Sequence, residues 1–296
     1  MEDYISGYTR LAGVIANPIK HSLSPRIHNT AYSLTQTNAV YLAFETTESD
    51  FEKVMASVKA LDMLGVNISM PYKKKAYQMC DELSPVAKLI GVVNTVVQKN
   101  KLLYGHNTDG LGFIKSLEEQ DVMIKNKTMT ILGAGGASRA IICQCALDGI
   151  SEINVFKRKN ETFETVAHEL KEIADKTETI IRVFDYADTT ELIQKIKESQ
   201  ILVNATQIGM GDSCELPISQ INAITPEHIV VDLIYHPLET QFLKEAKKQN
   251  AVTINGLGML IYQAAIAFEL MTNKKMPVKE IKHILLSELN EKGKNK

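Results

Sequence analysis

Short continuous apolar runs alternate along this chain with stretches where apolar residues recur three and four positions apart. Runs at 11–16, 40–44 and 65–70 read as strands, and the stretches 25–34 and 50–61 between them as helices. Ser24 is the expected cap of the first helix, with Pro25 at its first position. In 65–70, Val66, Ile68 and Met70 fall on one face, and Asn67 and Ser69 on the other. Pro71 stops that ladder, and a helix follows through residue 79. The runs 92–98 and 102–105 can pair through a turn at Lys99-Asn100. Such alternation implies a largely parallel sheet wrapped by helices.

A helix over 109–120 leads into a second alternating series. Its strands are expected at 128–132, 153–156, 180–184, 201–204, 229–234 and 251–254, with helices at 141–147, 161–174, 190–198 and 241–249 among them. Helices at 259–271 and 278–290 follow once that series is complete, and are expected to pack back on the first part of the chain.

The strand 128–132 runs into Gly133-Ala134-Gly135-Gly136-Ala137-Ser138-Arg139-Ala140 and then into an apolar helix. Strand, glycine turn and helix in that order make a dinucleotide-binding fingerprint. Gly133 allows the tight turn, and Gly135 lets backbone N–H groups approach a pyrophosphate. The helix N-terminus then faces the phosphates with its partial positive charge. Ser138 stands where the usual pattern has Gly or Ala, and is small enough to keep helix and strand close. The fold class is therefore α/β with two domains. Residues 1–110, completed by 256–296, form a mostly parallel substrate-binding and catalytic domain, and 111–255 a Rossmann-type dinucleotide-binding domain.

The next strand ends in Lys157-Arg158-Lys159, where an acidic residue would favour NAD. Three cations suit a 2′-phosphate, which makes NADP the expected cofactor. A solvated basic strand end is the blander reading. Glu161 lies close by and Asn160 could bond a ribose hydroxyl, so NAD stays open.

Composition narrows the field. The 296 residues are 45% hydrophobic and 23% charged, ordinary for a soluble globular protein. A net charge of −2 gives no basic field for nucleic acid or a membrane surface. No apolar run approaches a membrane span, and Met1-Glu2-Asp3-Tyr4 does not begin a signal peptide. Cys143 and Cys145, two apart on a helix, suit neither a metal nor a disulfide, and with Cys80 and Cys214 read as reduced thiols of a cytoplasmic protein. The basic tail 291–296 is expected to fray.

Hydride transfer from an alcohol needs a base for the hydroxyl proton and groups that hold the substrate. Three polar clusters fall at strand ends. In His21-Ser22-Leu23-Ser24-Pro25, helix capping accounts for Ser24 but not Ser22. In Asn67-Ile68-Ser69-Met70-Pro71-Tyr72-Lys73, the polar strand positions could simply face solvent, and Lys73 could be one of several surface lysines. In Gly105-His106-Asn107-Thr108-Asp109-Gly110, with Gly91-Val92-Val93-Asn94-Thr95 nearby, Asp109 reads locally as a helix cap. A polyhydroxylated substrate would explain why so many hydrogen-bonding groups gather at strand ends of one domain.

Taken together, Asn17-Pro18-Ile19-Lys20-His21-Ser22-Leu23-Ser24-Pro25, the Asn67 and Asn94 clusters, the Gly105 cluster and the glycine turn form a single ordered set. Asn204-Ala205-Thr206-Gln207-Ile208-Gly209-Met210 and Asn255-Gly256-Leu257-Gly258-Met259-Leu260 with Gln263 extend it. With these seven motifs in this order, the chain resembles the shikimate dehydrogenases, from about residue 11 to the final helix. The resemblance implies reversible NADP-linked oxidation of the 3-hydroxyl of shikimate, with reduction of 3-dehydroshikimate as the biosynthetic direction. It implies Lys73 and Asp109 as the catalytic pair. Ser22, Ser24, Ser69, Asn94, Tyr235 and Gln263 match substrate-holding positions, Ser69 replacing a more frequent Thr. Gly133, Ala134, Gly135, Gly136, Ala137, Lys157, Arg158, Lys159, Thr206, Leu233 and Gly256 match the cofactor side. No metal is implied, and a homodimer is allowed.

The family's NADP-selective strand end commonly reads Asn-Arg-Thr, where this chain has Lys157-Arg158-Lys159. Lys59-Ala60-Leu61-Asp62-Met63, Ser69-Met70-Pro71 and the long helix after Asn160 look closer to the quinate/shikimate branch. That branch tolerates NAD and quinate and tends to carry Asp at the place of Asn160. A methylene-tetrahydrofolate or amino-acid dehydrogenase could share the second domain but would not need Ser22, Ser24 and Asn94. A cofactor-sensing regulator without turnover is a further alternative.

Overall fold

A computed structural model of the protein describes residues 5–294, with side chains through 289. The expectation for Met1-Glu2-Asp3-Tyr4 lies outside the described residues, as do the last two positions of the basic tail. The backbone of the final helix continues through Lys294.

The chain forms two compact units. One ends at Thr108 and resumes at Ile261; the other is Asp109–Leu260, slightly wider than the expected 111–255. The first unit begins with β1 (Arg10–Ala16), α1 (Ser24–Leu34), β2 (Ala39–Glu45), α2 (Phe51–Ala60), β3 (Gly65–Ile68) and α3 (Lys73–Met79). It continues with β4 (Glu82–Leu83), α4 (Pro85–Ile90), β5 (Thr95–Lys99) and β6 (Leu102–His106). The strands lie in the order β2-β1-β3-β5-β6-β4. β1 pairs parallel with β2 and β3, whereas β5 is antiparallel to both β3 and β6. Ile15, Val66, Ile68, Val93 and Val96 meet Phe51, Met55, Val58 and Ala76 in a core closed to solvent.

Two elements of this unit carry no sequence expectation, β4 and α4. The helix is short, but its ends follow the usual chemistry. Ser84 Oγ accepts from Ala87 N–H at its start, and Gly91 turns left-handed at φ 68° at its end. β3 stops before Met70 because the Ser69 carbonyl accepts from Tyr72 N–H, which turns the chain there. β5 starts at Thr95 rather than 92 because Val93 N–H bonds the Lys73 carbonyl instead of a strand.

The second unit contains α5 (Asp109–Glu118), β7 (Thr128–Leu132), α6 (Gly136–Leu147), β8 (Glu152–Lys157), α7 (Phe163–Ala174), β9 (Ile180–Asp185) and α8 (Thr189–Glu198). Then come β10 (Ile201–Asn204), β11 (Ile229–Asp232), α9 (Gln241–Lys248) and β12 (Val252–Ile254). All six strands are parallel, in the order β12-β11-β10-β7-β8-β9. This is a doubly wound sheet whose strand order reverses between β7 and β10, where such sheets bind ligands. α5 lies close against α6: a Cβ on Gly110 would stand 2.5 Å from both Ala140 O and Gln144 Cβ. Cys143 and Cys145 are buried in α6, and all four cysteines are free.

Helix α10 (Leu257–Thr272) crosses from the second unit into the first, and α11 (Val278–Lys294) completes the first. Phe268 packs with the rings of His28 and Tyr32 on α1, and Glu288 of α11 pairs with Arg26 of α1. The terminal helices therefore pack on the first unit, as their place in the chain led us to expect. Among the described residues no helix is long and apolar enough to cross a membrane.

Candidate active site

In the first unit, the loops after β1, β2 and β3 are tied to one another. Asn17 N–H donates to Met70 O at 3.1 Å, Asn17 Nδ2 donates to Thr46 O at 3.1 Å, and Tyr72 Oη donates to the same carbonyl at 2.6 Å. These ties hold Ser22 and Ser24 on one loop and Ser69 on another, all half-buried. Ser24 does not cap α1. It is already the first helical residue, and its own N–H donates to Ser22 Oγ at 3.2 Å. The hydroxyl that serves the helix start is thus Ser22, two residues earlier than expected, because Leu23 already has helical backbone angles.

Asn94 sits just before β5 and is 3% exposed. Its Oδ1 accepts from Thr108 N–H at 2.8 Å and Thr95 Oγ1 at 3.0 Å, and its Nδ2 donates to Thr108 Oγ1 at 3.1 Å. Behind it, Asn67 Nδ2 donates to Thr95 Oγ1 at 2.9 Å, and Asn67 Oδ1 accepts from Tyr41 Oη at 2.7 Å. Asn67 is therefore not a solvent-facing strand position; it is 7% exposed and joins β2, β3 and β5 in one polar chain. Burial makes such a chain rigid, since an unpaired group there would forfeit its solvation. Lys73 opens α3, and its carbonyl holds Val93, the neighbour of Asn94. Asp109 follows the anchored Thr108 directly and opens α5 as its first residue. Gln263 lies half-buried on α10.

In the second unit, the positions of interest follow the carboxyl ends of parallel strands. Gly133, after β7, has φ +97°, and a Cβ there would stand 3.1 Å from Ala205 O and Thr206 Cγ2. Gly135 is the N-cap of α6 and no side chain caps the helix. A Cβ on Gly135 would meet nothing within 4 Å, and Gly135 and Gly136 are both exposed, so this helix start is open to solvent. That is the cradle a pyrophosphate requires, and the residues present fit a dinucleotide. Gly256, after β12, is fixed by close approach: a Cβ would lie 2.0 Å from Leu233 O.

The loops after β10 and β11 share one buried clamp. Asp232 Oδ1 accepts from Asn204 Nδ2 at 3.1 Å and from Ile234 N–H at 3.1 Å, and Oδ2 accepts from Thr240 Oγ1 at 2.7 Å. Asn204 Oδ1 in turn accepts from the N–H and Oγ1 of Thr206. Burial pushes the Asp232 carboxyl above its ordinary value, and the three donors pull it back. The clamp holds Thr206 and the backbone of Leu233 and Ile234, just before Tyr235; burial raises the Tyr235 phenol as well.

At the end of β8 the three cations separate. Arg158 and Lys159 are exposed, but Lys157 is buried and its ammonium bonds within its own turn. The site residues expected from sequence thus divide between the units: Ser22, Ser24, Ser69, Lys73, Asn94 and Gln263 in the first, Asp109, Tyr235 and the cofactor-side positions in the second. Sequence reasoning passed over Tyr41 and Asp232. Tyr41 gives no signal in a strand of aromatics and aliphatics, whereas an acidic residue closing an apolar strand, as Asp232 does, is a usable one.

Comparison with known proteins bears on the chain as a whole. Residues 14–96 match the shikimate dehydrogenase substrate binding domain, and residues 256–286 the shikimate 5′-dehydrogenase C-terminal domain. The NADP(+) shikimate dehydrogenase of Streptococcus sanguinis is 48% identical over 277 residues, covering 94% of this chain and 96% of that protein. Its counterpart from Lactococcus lactis subsp. cremoris is equally similar, at 48% over 277 residues. The crystal structure of shikimate 5-dehydrogenase from Listeria monocytogenes, in complex with shikimate and NAD, superposes with a TM-score of 0.92 at 43% identity, covering 96% of this chain and 99% of that one. With a relative 48% identical over 94% of its length, this chain belongs to the shikimate dehydrogenases.

Proposed function

We propose that this chain is an NADP-linked shikimate dehydrogenase that interconverts shikimate and 3-dehydroshikimate. The observation that carries the cofactor half is the uncapped start of α6 behind Gly135, open to a ligand at the switch point of an all-parallel sheet. When bound, the nicotinamide supplies the hydride acceptor for the alcohol carbon.

The chain's own residues hold the substrate and move the proton. Ser22, Ser24, Ser69, Asn94, Tyr235 and Gln263 bind the ring hydroxyls and carboxylate of shikimate. Lys73 takes the 3-hydroxyl proton in oxidation and returns it in reduction, and Asp109 orients the Lys73 amine. Gly133 to Ala137 would receive the pyrophosphate, Thr206, Leu233 and Gly256 would serve the cofactor side, and Arg158 with Lys159 would meet a 2′-phosphate. The buried Tyr41–Asn67–Thr95–Asn94 chain supports the substrate half by fixing Asn94 before substrate arrives. A cytoplasmic location and a homodimer belong to the same reading, as does the absence of nucleic-acid and membrane partners, which the net charge of −2 supports.

The test is initial rate by absorbance of the reduced nicotinamide, crossing shikimate and quinate with NADP and NAD. Shikimate with NADP should exceed the other pairs. Comparable rates with quinate or NAD would place the chain on the dual-specificity branch, and no turnover with any pair would overturn the reading. Lys73→Ala should lower kcat on the order of a hundred- to ten-thousand-fold with the fold intact; unchanged turnover would remove Lys73 from the mechanism.

A further inference from the structure

Lys157 ends β8 among the exposed cations Arg158 and Lys159, yet it is only 8% exposed. Its Nζ donates to Asn160 Oδ1 at 2.6 Å, Thr162 Oγ1 at 2.8 Å and the Arg158 carbonyl at 3.3 Å. An ammonium has three protons, and here each has an acceptor inside the turn. Asn160 Oδ1 is used just as fully. Besides the ammonium it accepts from Thr162 N–H at 3.3 Å and Thr162 Oγ1 at 2.9 Å. Two backbone bonds close the turn: Asn160 N–H to Arg158 O and Phe163 N–H to Asn160 O, both at 2.9 Å. The segment from Arg158 to Thr162 is thus wrapped around a cation that has no bond left for a ligand.

We propose that Lys157 is a positioning residue for nucleotide preference. It holds the turn so that Arg158 and Lys159 are presented to a 2′-phosphate, and it occupies the Asn160 oxygen that a ribose 2′-hydroxyl would otherwise bond. The inference rests on the NADP-linked reading above. One nucleotide gains two placed cations, while the other loses an acceptor, so preference arises from both an attractive and a withheld interaction. It also gives the departure from the family's Asn-Arg-Thr a physical content: the first position supplies the post, and the second and third the ligands.

The experiment is calorimetric titration of the full-length protein with 2′,5′-ADP and, separately, with ADP, which carries a free 2′-hydroxyl. Lys157→Met keeps the length of the side chain and removes its donors. It should weaken 2′,5′-ADP by about tenfold and leave ADP unchanged or slightly tighter. Thr162→Val, which removes one acceptor of the ammonium, should lower the same affinity ratio by less. Lys157→Met in a background carrying both Arg158→Ala and Lys159→Ala should lower 2′,5′-ADP affinity no further than that background alone. The proposal is overturned if Lys157→Met weakens both nucleotides alike, if it changes neither, or if its full effect persists without Arg158 and Lys159, which would mean direct phosphate binding. Should Lys157→Met not fold, the Thr162→Val ratio decides by itself: a fall supports the proposal and no change overturns it. Failure of the NADP reading shows separately, as equal affinity of the unmodified protein for the two nucleotides.

Discussion

His28 sets the acid limit of stability for the first unit. It lies on α1 with no exposed surface, stacked on the Tyr41 ring at 4.2 Å and 6°. Neither ring nitrogen has a hydrogen-bond partner, and burial pushes its pKa from 6.5 down to about 3. The neighbouring phenols of Tyr32 and Tyr41 are pushed upward by burial and stay neutral, so no nearby charge offsets an imidazolium. Above pH 6.5 the imidazole is neutral in both folded and unfolded chains and costs nothing. As pH falls through 6.5 the unfolded chain takes up the proton while the folded one does not, so stability falls until the folded group titrates near 3. Each pH unit in that window costs about 1.4 kcal/mol. Between pH 7 and pH 5 the loss from this group is about 2 kcal/mol. His28→Phe keeps the stacked ring and removes the titration. Urea unfolding of both proteins at pH 7 and pH 5, followed by circular dichroism, should show the variant losing about 2 kcal/mol less over the interval. Equal losses would refute the reasoning, for His28 would then be solvated or paired in the folded protein.

Three other substitutions test the site's supports. Asn67→Ala leaves the buried Tyr41 hydroxyl and Thr95 Oγ1 each short of a partner, and should cost about 2–4 kcal/mol in urea unfolding and raise KM for shikimate more than KM for NADP. Thr240→Val removes the donor to Asp232 Oδ2 and the acceptor for Leu243 N–H. It should cost about 2–3 kcal/mol and raise both KM values, since the clamp holds the backbone of Leu233 and Ile234 that leads into Tyr235; steady-state kinetics that left both unchanged would sever the clamp from the site. Gly256→Ala places a Cβ 2.0 Å from Leu233 O and 2.4 Å from its carbonyl carbon, both backbone atoms that must move. NADP affinity by calorimetry should fall more than about tenfold while α10 stays helical by circular dichroism.

The candidate site could be proposed from sequence because its motifs are local along the chain. The glycine turn follows its strand at once, and Ser22, Ser69, Lys73, Asn94 and Asp109 each stand within a few residues of a strand end. Element types were equally local: a parallel strand buried on both faces needs a continuous apolar run, as in β10 and β11, and an amphipathic helix needs its stripe. The helix α4 escaped because six residues are too few for a period to show, although its Ser84 cap and Gly91 stop were in plain view.

The amino-acid sequence by itself determined the two α/β series, the place of the nucleotide turn and the residue types that can do the chemistry. Tertiary structure decided which polar groups are spent inside the protein and which are left for a ligand. Asn67 and Ser69 share one strand face in the sequence pattern, yet Asn67 is consumed by Tyr41 and Thr95, residues 26 and 28 positions away. Lys157, Arg158 and Lys159 are three like charges in sequence, but one is folded inward by its own turn. Hydrophobic periodicity is set by neighbours along the chain, whereas a hydrogen bond is satisfied by whatever the fold brings within 3 Å of it; only the folded chain can say which donors and acceptors are already taken.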